Sequence, residues 1–228
     1  MVAAVCNHAL RSRHIAKYAK EVLADLRLPD LETEFSEHAY PKYPGPVVID
    51  ENGPVLQLQR WGVWPHYARA KPQYITNARD DGLLTKATWK QATARRRCLI
   101  PVIGYFEPGL GPPGARGELY FTLKDRPCFF IAGVWDQDPD GSGQRGYAMV
   151  TTKPNDYVAR FHDRMPLALS DAAAVAWLGS SPLPPERVAE LCRPVASEAM
   201  QRTDVAATSR KSITKDDLKS ADGELALF

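Results

Sequence analysis

Between residues 46 and 170 the chain carries a succession of short stretches with strand character: PVVID, VLQLQRWGVW, YITNAR, RCLIPVIGYFE, ELYFTLK, CFFIAGVWD, YAMVTTK and MPLALS. Most are bounded by Gly, Pro, Asp or Asn, residues that close a strand because they supply turn geometry or lack an amide donor. Punctuation this frequent makes successive strands fold back on one another, so antiparallel sheet dominates. Upstream, YPKYPGPV at 40–47 cannot be helix interior, since each proline removes a donor and restricts its predecessor. It predicts an extended connection into the first of these strands.

Helices flank and interrupt the strands. From Ser12 to Leu28 the apolar residues Ile15, Tyr18, Val22, Leu23 and Leu26 fall on one helical face, with Ser12 as N-cap and Pro29 as stop. Further helices are predicted over 86–95, 155–161, 171–179 and 185–192. No repeat and no shift of composition divides the 228 residues. The expected fold is a single α+β domain, a curved, barrel-like and mainly antiparallel sheet with flanking helices. That domain spans 1–202, with 1–5 as a small leader. Residues 203–228 read as a polar tail whose last residues, ELALF, dock back.

The formal charge of +2 excludes a strongly cationic coat, so a polyanion would have to meet a local basic patch. The four cysteines, Cys6, Cys98, Cys128 and Cys192, form no CxxC pair and have no histidine at metal-ligand spacing. Neither a disulfide framework nor a metal site is expected. No run approaches membrane-spanning length and MVAAV lacks a signal-peptide layout, which predicts a cytoplasmic chain without a membrane partner. GLGPPGARG ends without G-K-[ST] and leads into a strand, so it reads as a surface loop. RRR at 95–97 closes a helix, where cations complement the dipole; it can equally border a phosphate-binding groove.

Four places carry reactive or recognition side chains in short, unusual contexts: Cys6 in VCNHA, Asn77 and Arg79 in TNARD, Glu107 in GYFEP, and His162 and Arg164 in FHDRMP. Asn77 and Arg79 are two apart, so on a strand they share a face. Glu107 ends an apolar run, where a half-buried carboxyl has a raised pKa. Each has a duller explanation: core packing for Cys6, a hydrogen-bonded structural role for His162, an ion pair for Glu107, surface charge for the arginines, a strand end for Asn77.

The set, in order, changes this. The C-N opening, PVV, RWGVWP, TNAR, RRRCLIPVIGYFE, FFIAGVWD, VTTKPN and HDRMPLAL followed by WL resemble the SOS response-associated peptidase (SRAP) family over about Cys6 to Leu178. Members of that family crosslink covalently to abasic sites in single-stranded DNA. The resemblance implies a barrel-like fold with a basic groove, no metal or organic cofactor, and single-stranded DNA with an abasic site as partner of a monomer. It implies Cys6 as nucleophile through its amine and thiol, Glu107 and His162 as proton-transfer groups, and Asn77 as the residue that orients the cysteine. Arg79 and Arg164 would hold phosphates, Thr151 would add a hydroxyl, and Trp64 and Tyr67 would offer faces for unpaired bases, as would Trp61 unless it is core.

Departures from the family pattern matter. His8 stands where many members carry a phosphate-binding arginine, although a C-N opening also resembles a subset of the family. Tyr67 stands where tryptophan is common, and Pro108 follows Glu107. The family's cysteine becomes N-terminal on removal of the initiator methionine, and here five residues precede Cys6. Translation can begin at Val5 from a GTG codon, Cys6 can cut the leader off by autoproteolysis, or the leader stays and Cys6 has only its thiol. The expected activity is lyase-like crosslinking with possible autopeptidase action. The alternatives are a Cys-His-Asn peptidase built on Cys6, His162 and Asn77, and a noncovalent DNA-binding module.

Overall fold

The computed structural model describes residues 7–11, 14–28, 36–68, 71–110, 116–179 and 181–205. Cys6, the leader, Ser12, Pro29 and most of the tail lie outside the described residues. The strands are β1 (His8–Leu10), β2 (His38–Ala39), β3 (Pro44–Asp50), β4 (Pro54–Trp61), β5 (Asn77–Arg79), β6 (Arg97–Val102), β7 (Gly104–Leu110), β8 (Arg116–Leu123), β9 (Phe129–Gln137), β10 (Arg145–Thr152), β11 (Met165–Pro166), β12 (Ala168–Leu169) and β13 (Met200–Val205). The helices are α1 (Ile15–Val22), α2 (Ala87–Arg95), α3 (Asp171–Leu178) and α4 (Pro185–Leu191).

β10, β4, β3, β6 and β9 pair in that order, and β9 pairs with β10 again, closing a barrel. Every contact in the ring is antiparallel except β4 with β10. Closure leaves these strands without a free edge. A second sheet, in the order β13, β8, β7, β1, β2, is antiparallel throughout. Alternate side chains of the barrel strands go to two cores. Val48, Leu99, Phe130, Ala132 and Val150 pack with Trp89 of α2 and Trp177 of α3. Ile49, Cys98, Ile100, Ile131 and Met149 pack with Tyr105 and Phe121 of the second sheet. Both faces are therefore apolar, which explains runs such as CFFIAGVW that show no alternation of polarity.

The single strand expected over RCLIPVIGYFE is two. β6 pairs with β3 and β9 in the barrel, whereas β7 pairs with β1 and β8. The chain changes sheet at Ile103, whose amide donates to Leu10 O at 2.9 Å. A Cβ on Gly104 would lie 2.4 Å from the Tyr120 ring, so the change of sheet is made at a residue without a side chain.

α1 stops at Val22, short of the expected Leu28. Arg27 bridges to Val55, with its amide on Pro54 O and its carbonyl on Leu56 N, and this pairing requires extended backbone. Leu23 and Leu26 still face the core, which is why the spacing read as one helix. The helix expected over 155–161 reduces to a 3-10 turn at Val158–Arg160, begun by Asn155 Oδ1 accepting from Val158 N at 2.9 Å. β13 continues to Val205, three residues past the composition boundary at 202. No helix among the described residues is long and apolar enough to cross a membrane.

The arginine run divides. Arg97 is buried and donates to Trp177 O (2.6 Å), Thr93 O (2.7 Å), Ala94 O (2.9 Å), Ser181 O (2.8 Å) and Gly179 O, tying the ends of α2 and α3 together. Burial pulls its pKa down to about 10. Arg96 pairs with Asp136 at 3.1 Å. Arg97 is thus a structural cation closing helix ends, and does not border a groove.

Candidate active site

The change of sheet at Ile103 carries Glu107 to the junction between the barrel and the second sheet. Glu107 is buried, on the same face of β7 as Tyr105. His162 is buried too and comes from the turn leading into β11. Its Nε2 lies 3.9 Å from Glu107 Oε2, too long for a hydrogen bond, and has no hydrogen-bond partner among the described residues. On the other side of the ring, Nδ1 lies 3.1 Å from the Arg164 amide N–H and 3.1 Å from the Asp163 carboxylate. Accepting from that amide puts the proton of the neutral ring on Nε2, facing Glu107, whereas donating to the Arg164 carbonyl at 3.1 Å puts it on Nδ1 and leaves Nε2 an acceptor. The pair is therefore an imidazole nitrogen and a carboxyl set across a gap that one oxygen atom can span, with a hydrogen bond of about 2.8 Å to each.

β10 organises the remaining residues. At Thr151 it pairs with Arg79 of β5 on one edge and Pro166 of β11 on the other. Ala78 goes to the helix-covered core, so Asn77 and Arg79 share the opposite face, as their spacing predicts. Asn77 Nδ2 donates to Thr76 Oγ1 at 3.3 Å, and Thr76 Oγ1 donates to Asn7 Oδ1 at 3.1 Å. The residue that follows Cys6 is thereby tied to the strand that carries Asn77.

The expected DNA contacts separate by burial. Tyr67 is 70% exposed. Arg79 is exposed and paired with Asp81 at 2.6 Å, which holds the Asp81 carboxyl below its ordinary range. Trp64 is buried with Nε1 on Ala68 O at 2.8 Å, and Trp61 is core, with Nε1 on Thr76 O at 3.0 Å. Thr151 is buried. Arg164 is buried as well, with Nη2 on Asp80 Oδ1 at 2.6 Å and on Thr151 O. His8 is the register partner of Phe106 and stacks on it at 3.9 Å, so it faces away from Glu107. Its ring nitrogens meet His38 Nδ1 at 2.8 Å and Glu118 at 3.3 Å.

Asn7, Thr76 and Asp80 are the residues that sequence reasoning passed over. Asp80 directly follows Arg79 and caps the strand into a 3-10 turn, yet its partners Arg164 and Thr152 are 84 and 72 residues away. Only a conspicuous acid after NAR signalled it.

A family model described as SOS response associated peptidase (SRAP) matches residues 5–211. The Abasic site processing protein YoqW of Bacillus subtilis (strain 168) is 28% identical over 159 residues, 68% of this chain and 71% of that protein. The Abasic site processing protein YMR114C of Saccharomyces cerevisiae is 27% identical over 119 residues, 50% of this chain and 32% of that protein. A crystal structure of a protein from Bacteroides thetaiotaomicron superposes with a TM-score of 0.74 at 23% identity, covering 94% of both chains. A phage-related protein from Bordetella bronchiseptica gives 0.68 at 20% identity, covering 88% of this chain and 94% of that one. On the extent of the family match, the chain belongs to the SOS response associated peptidase (SRAP) family.

Proposed function

We propose that this protein recognises an abasic site in single-stranded DNA and captures its sugar covalently through Cys6. The observation that supports this reading best is the buried Glu107 and His162 pair, 3.9 Å apart, together with the Thr76 hydroxyl that holds Asn7, the residue after Cys6. Cys6 is joined to Asn7 by one peptide unit, about 3.8 Å between Cα atoms. The names of the related proteins from Bacillus subtilis and Saccharomyces cerevisiae, abasic site processing proteins, point to the same lesion.

The chemistry needs an α-amine and a thiol on one residue. An abasic deoxyribose opens to an aldehyde, the free amine of Cys6 adds to it, and loss of one water gives an imine. The thiol then adds across the C=N bond, its proton passing to nitrogen, and closes a thiazolidine. The net change is aldehyde plus cysteine to thiazolidine plus water, with no external reductant or oxidant. An α-amine has a pKa of about 7.7–8.0, so a useful share is unprotonated at neutral pH, whereas an internal amide nitrogen is not basic. His162 Nε2–H donates to the sugar oxygen during ring opening, and Glu107 moves protons at the carbinolamine. Arg79 and Tyr67, the exposed cation and the exposed ring, contact the strand.

Intact-protein mass spectrometry of material expressed from its native gene tests this, before and after incubation with a single-stranded oligonucleotide carrying one abasic site. The expected protein mass begins at Cys6, and the DNA adduct survives denaturation. A mass that retains residues 2–5 together with no adduct overturns the thiazolidine mechanism.

A further inference from the structure

Arg160 precedes His162 by two residues, within about 7 Å along the chain. It is exposed, and its guanidinium lies 4.6 Å from the Tyr157 ring and 5.5 Å from the Phe161 ring. Its Nε donates to Tyr157 O at 3.2 Å, which fixes the plane of the guanidinium without using its charge. Phe161 also receives Arg202 at 4.3 Å, and packs against Phe121 of β8 at 6.1 Å, so the aromatic support is anchored in the second sheet. The other arginines around the site each have a carboxylate partner, an exposed and exchangeable one for Arg79: Asp81 for Arg79, Asp80 for Arg164 and Asp204 for Arg202. Arg160 has no carboxylate partner among the described residues.

We infer that Arg160, stacked on Tyr157 and Phe161, is a phosphate-binding residue that grips the DNA backbone beside the lesion and sets affinity without taking part in the chemistry. The inference rests on the proposed reading of the site and names a further contact within it. A stacked guanidinium gives up little conformational freedom on binding, and its free N–H groups form the planar fork that matches phosphate oxygens. A lysine at this position would keep the charge but lose the stacking.

The test uses the full chain and a single-stranded oligonucleotide with a tetrahydrofuran abasic analogue, which has no aldehyde and reports binding alone. Kd is measured by fluorescence anisotropy over a series of salt concentrations, and crosslinking to a true abasic site is timed at saturating DNA. Arg160→Gln is expected to weaken binding several-fold and to reduce the slope of log K against log salt by about 0.7, the value for one phosphate contact on a single strand. Arg160→Lys should keep the slope, and both variants should crosslink at the wild-type rate once saturated. An unchanged slope and Kd for Arg160→Gln overturns the inference, as does a slower crosslinking rate at saturation with unchanged affinity. A wild-type protein that binds the analogue no better at low salt than at high salt removes DNA as the ligand, and the proposed function falls before this residue is tested.

Discussion

Asp80→Asn is the perturbation that separates a buried ionic support from a surface ornament. Asp80 Oδ1 accepts from Arg164 Nη2 at 2.6 Å and Oδ2 accepts from Thr152 Oγ1 at 2.8 Å. The two charged side chains are 7% and 18% exposed, and Arg164 Nε has no hydrogen-bond partner among the described residues. Neutralising Asp80 leaves a guanidinium in a dry environment with only carbonyl and hydroxyl oxygens around it. Removing one member of such a pair costs about 3–5 kcal/mol. For a chain of this length that lowers Tm by about 6–20 °C. The neighbouring pair is the internal control: Arg79 and Asp81 are 56% and 58% exposed at the same 2.6 Å, so Asp81→Asn should cost about 0.2–1 kcal/mol. Urea and thermal unfolding of both variants measure the difference. The Arg164 amide also meets His162 Nδ1, so Asp80→Asn should slow crosslinking even at temperatures where the variant is folded, without changing affinity for the tetrahydrofuran analogue. Equal costs for Asp80→Asn and Asp81→Asn would refute the reasoning, because burial would then have no influence on the value of the pair.

Glu107→Gln should slow covalent capture by tenfold or more while leaving the noncovalent Kd for the analogue within about twofold; equal loss of both, timed by gel and by anisotropy, would make Glu107 structural. Burial pushes the Cys128 thiol up to about 11 and Cys192 up to about 12, and raises Cys98 further. A raised thiol pKa means less thiolate, so at pH 8 Cys128 is ionised in about one molecule in a thousand, against about a quarter for an ordinary thiol. Native protein should therefore release one rapid equivalent of thionitrobenzoate, from Cys6, and four after denaturation; three or four rapid equivalents would contradict the buried thiols. Gly45→Ala would set a Cβ 1.9 Å from Arg11 Nη1, whose Nη2 donates to Tyr147 OH at 2.6 Å. It should destabilise the fold by about 1–3 kcal/mol, with part of the loss recovered in the Gly45→Ala, Arg11→Ala double variant measured by urea unfolding.

What the sequence disclosed depended on whether the signal was local. α2, α3 and α4 begin and end within a residue or two of expectation, and the starts of α3 and α4 carry local signals: Ser170 Oγ accepts from Ala173 N, and Pro185 opens α4. The short strands β1 and β2 are three and two residues long, too brief for any periodicity, and exist because β7 pairs with β1 and β1 in turn pairs with β2. β13, MQRTDV, is polar because it lies at the edge of its sheet. The same division holds at the site. Asn77 and Arg79 share a face because two residues of strand dictate it. Taken singly, Arg164 reads as a surface charge, and the family resemblance makes it a phosphate ligand; only the fold brings Asp80 against it across 84 residues. Trp64 is buried and Tyr67 exposed, although the two are three residues apart in one loop, and aromatic character alone cannot distinguish them.

The anchoring of β1 bears directly on the proposed chemistry. A nucleophile carried near a chain end reacts efficiently only if the residues behind it are fixed, since the rate gain from proximity is lost when the reacting atoms wander. A three-residue strand has too few ladder bonds to do this alone. β1 is pinned by side chains instead: His8 stacks on Phe106 at 3.9 Å and Tyr40 at 4.5 Å and shares a hydrogen bond with His38 at 2.8 Å. Arg11, just after the strand, is buried against Gly45 and Tyr147, and Asn7, just before it, is bonded to Thr76. His8, facing away from Glu107, then contributes by positioning. An arginine at this place, the residue implied by the family pattern, would have to replace an aromatic stack with a guanidinium beside two histidine rings. The anchor behind position 6 is thus aromatic, built from His8, His38, Tyr40 and Phe106, and under the proposed function the charge that meets DNA comes from elsewhere on the surface.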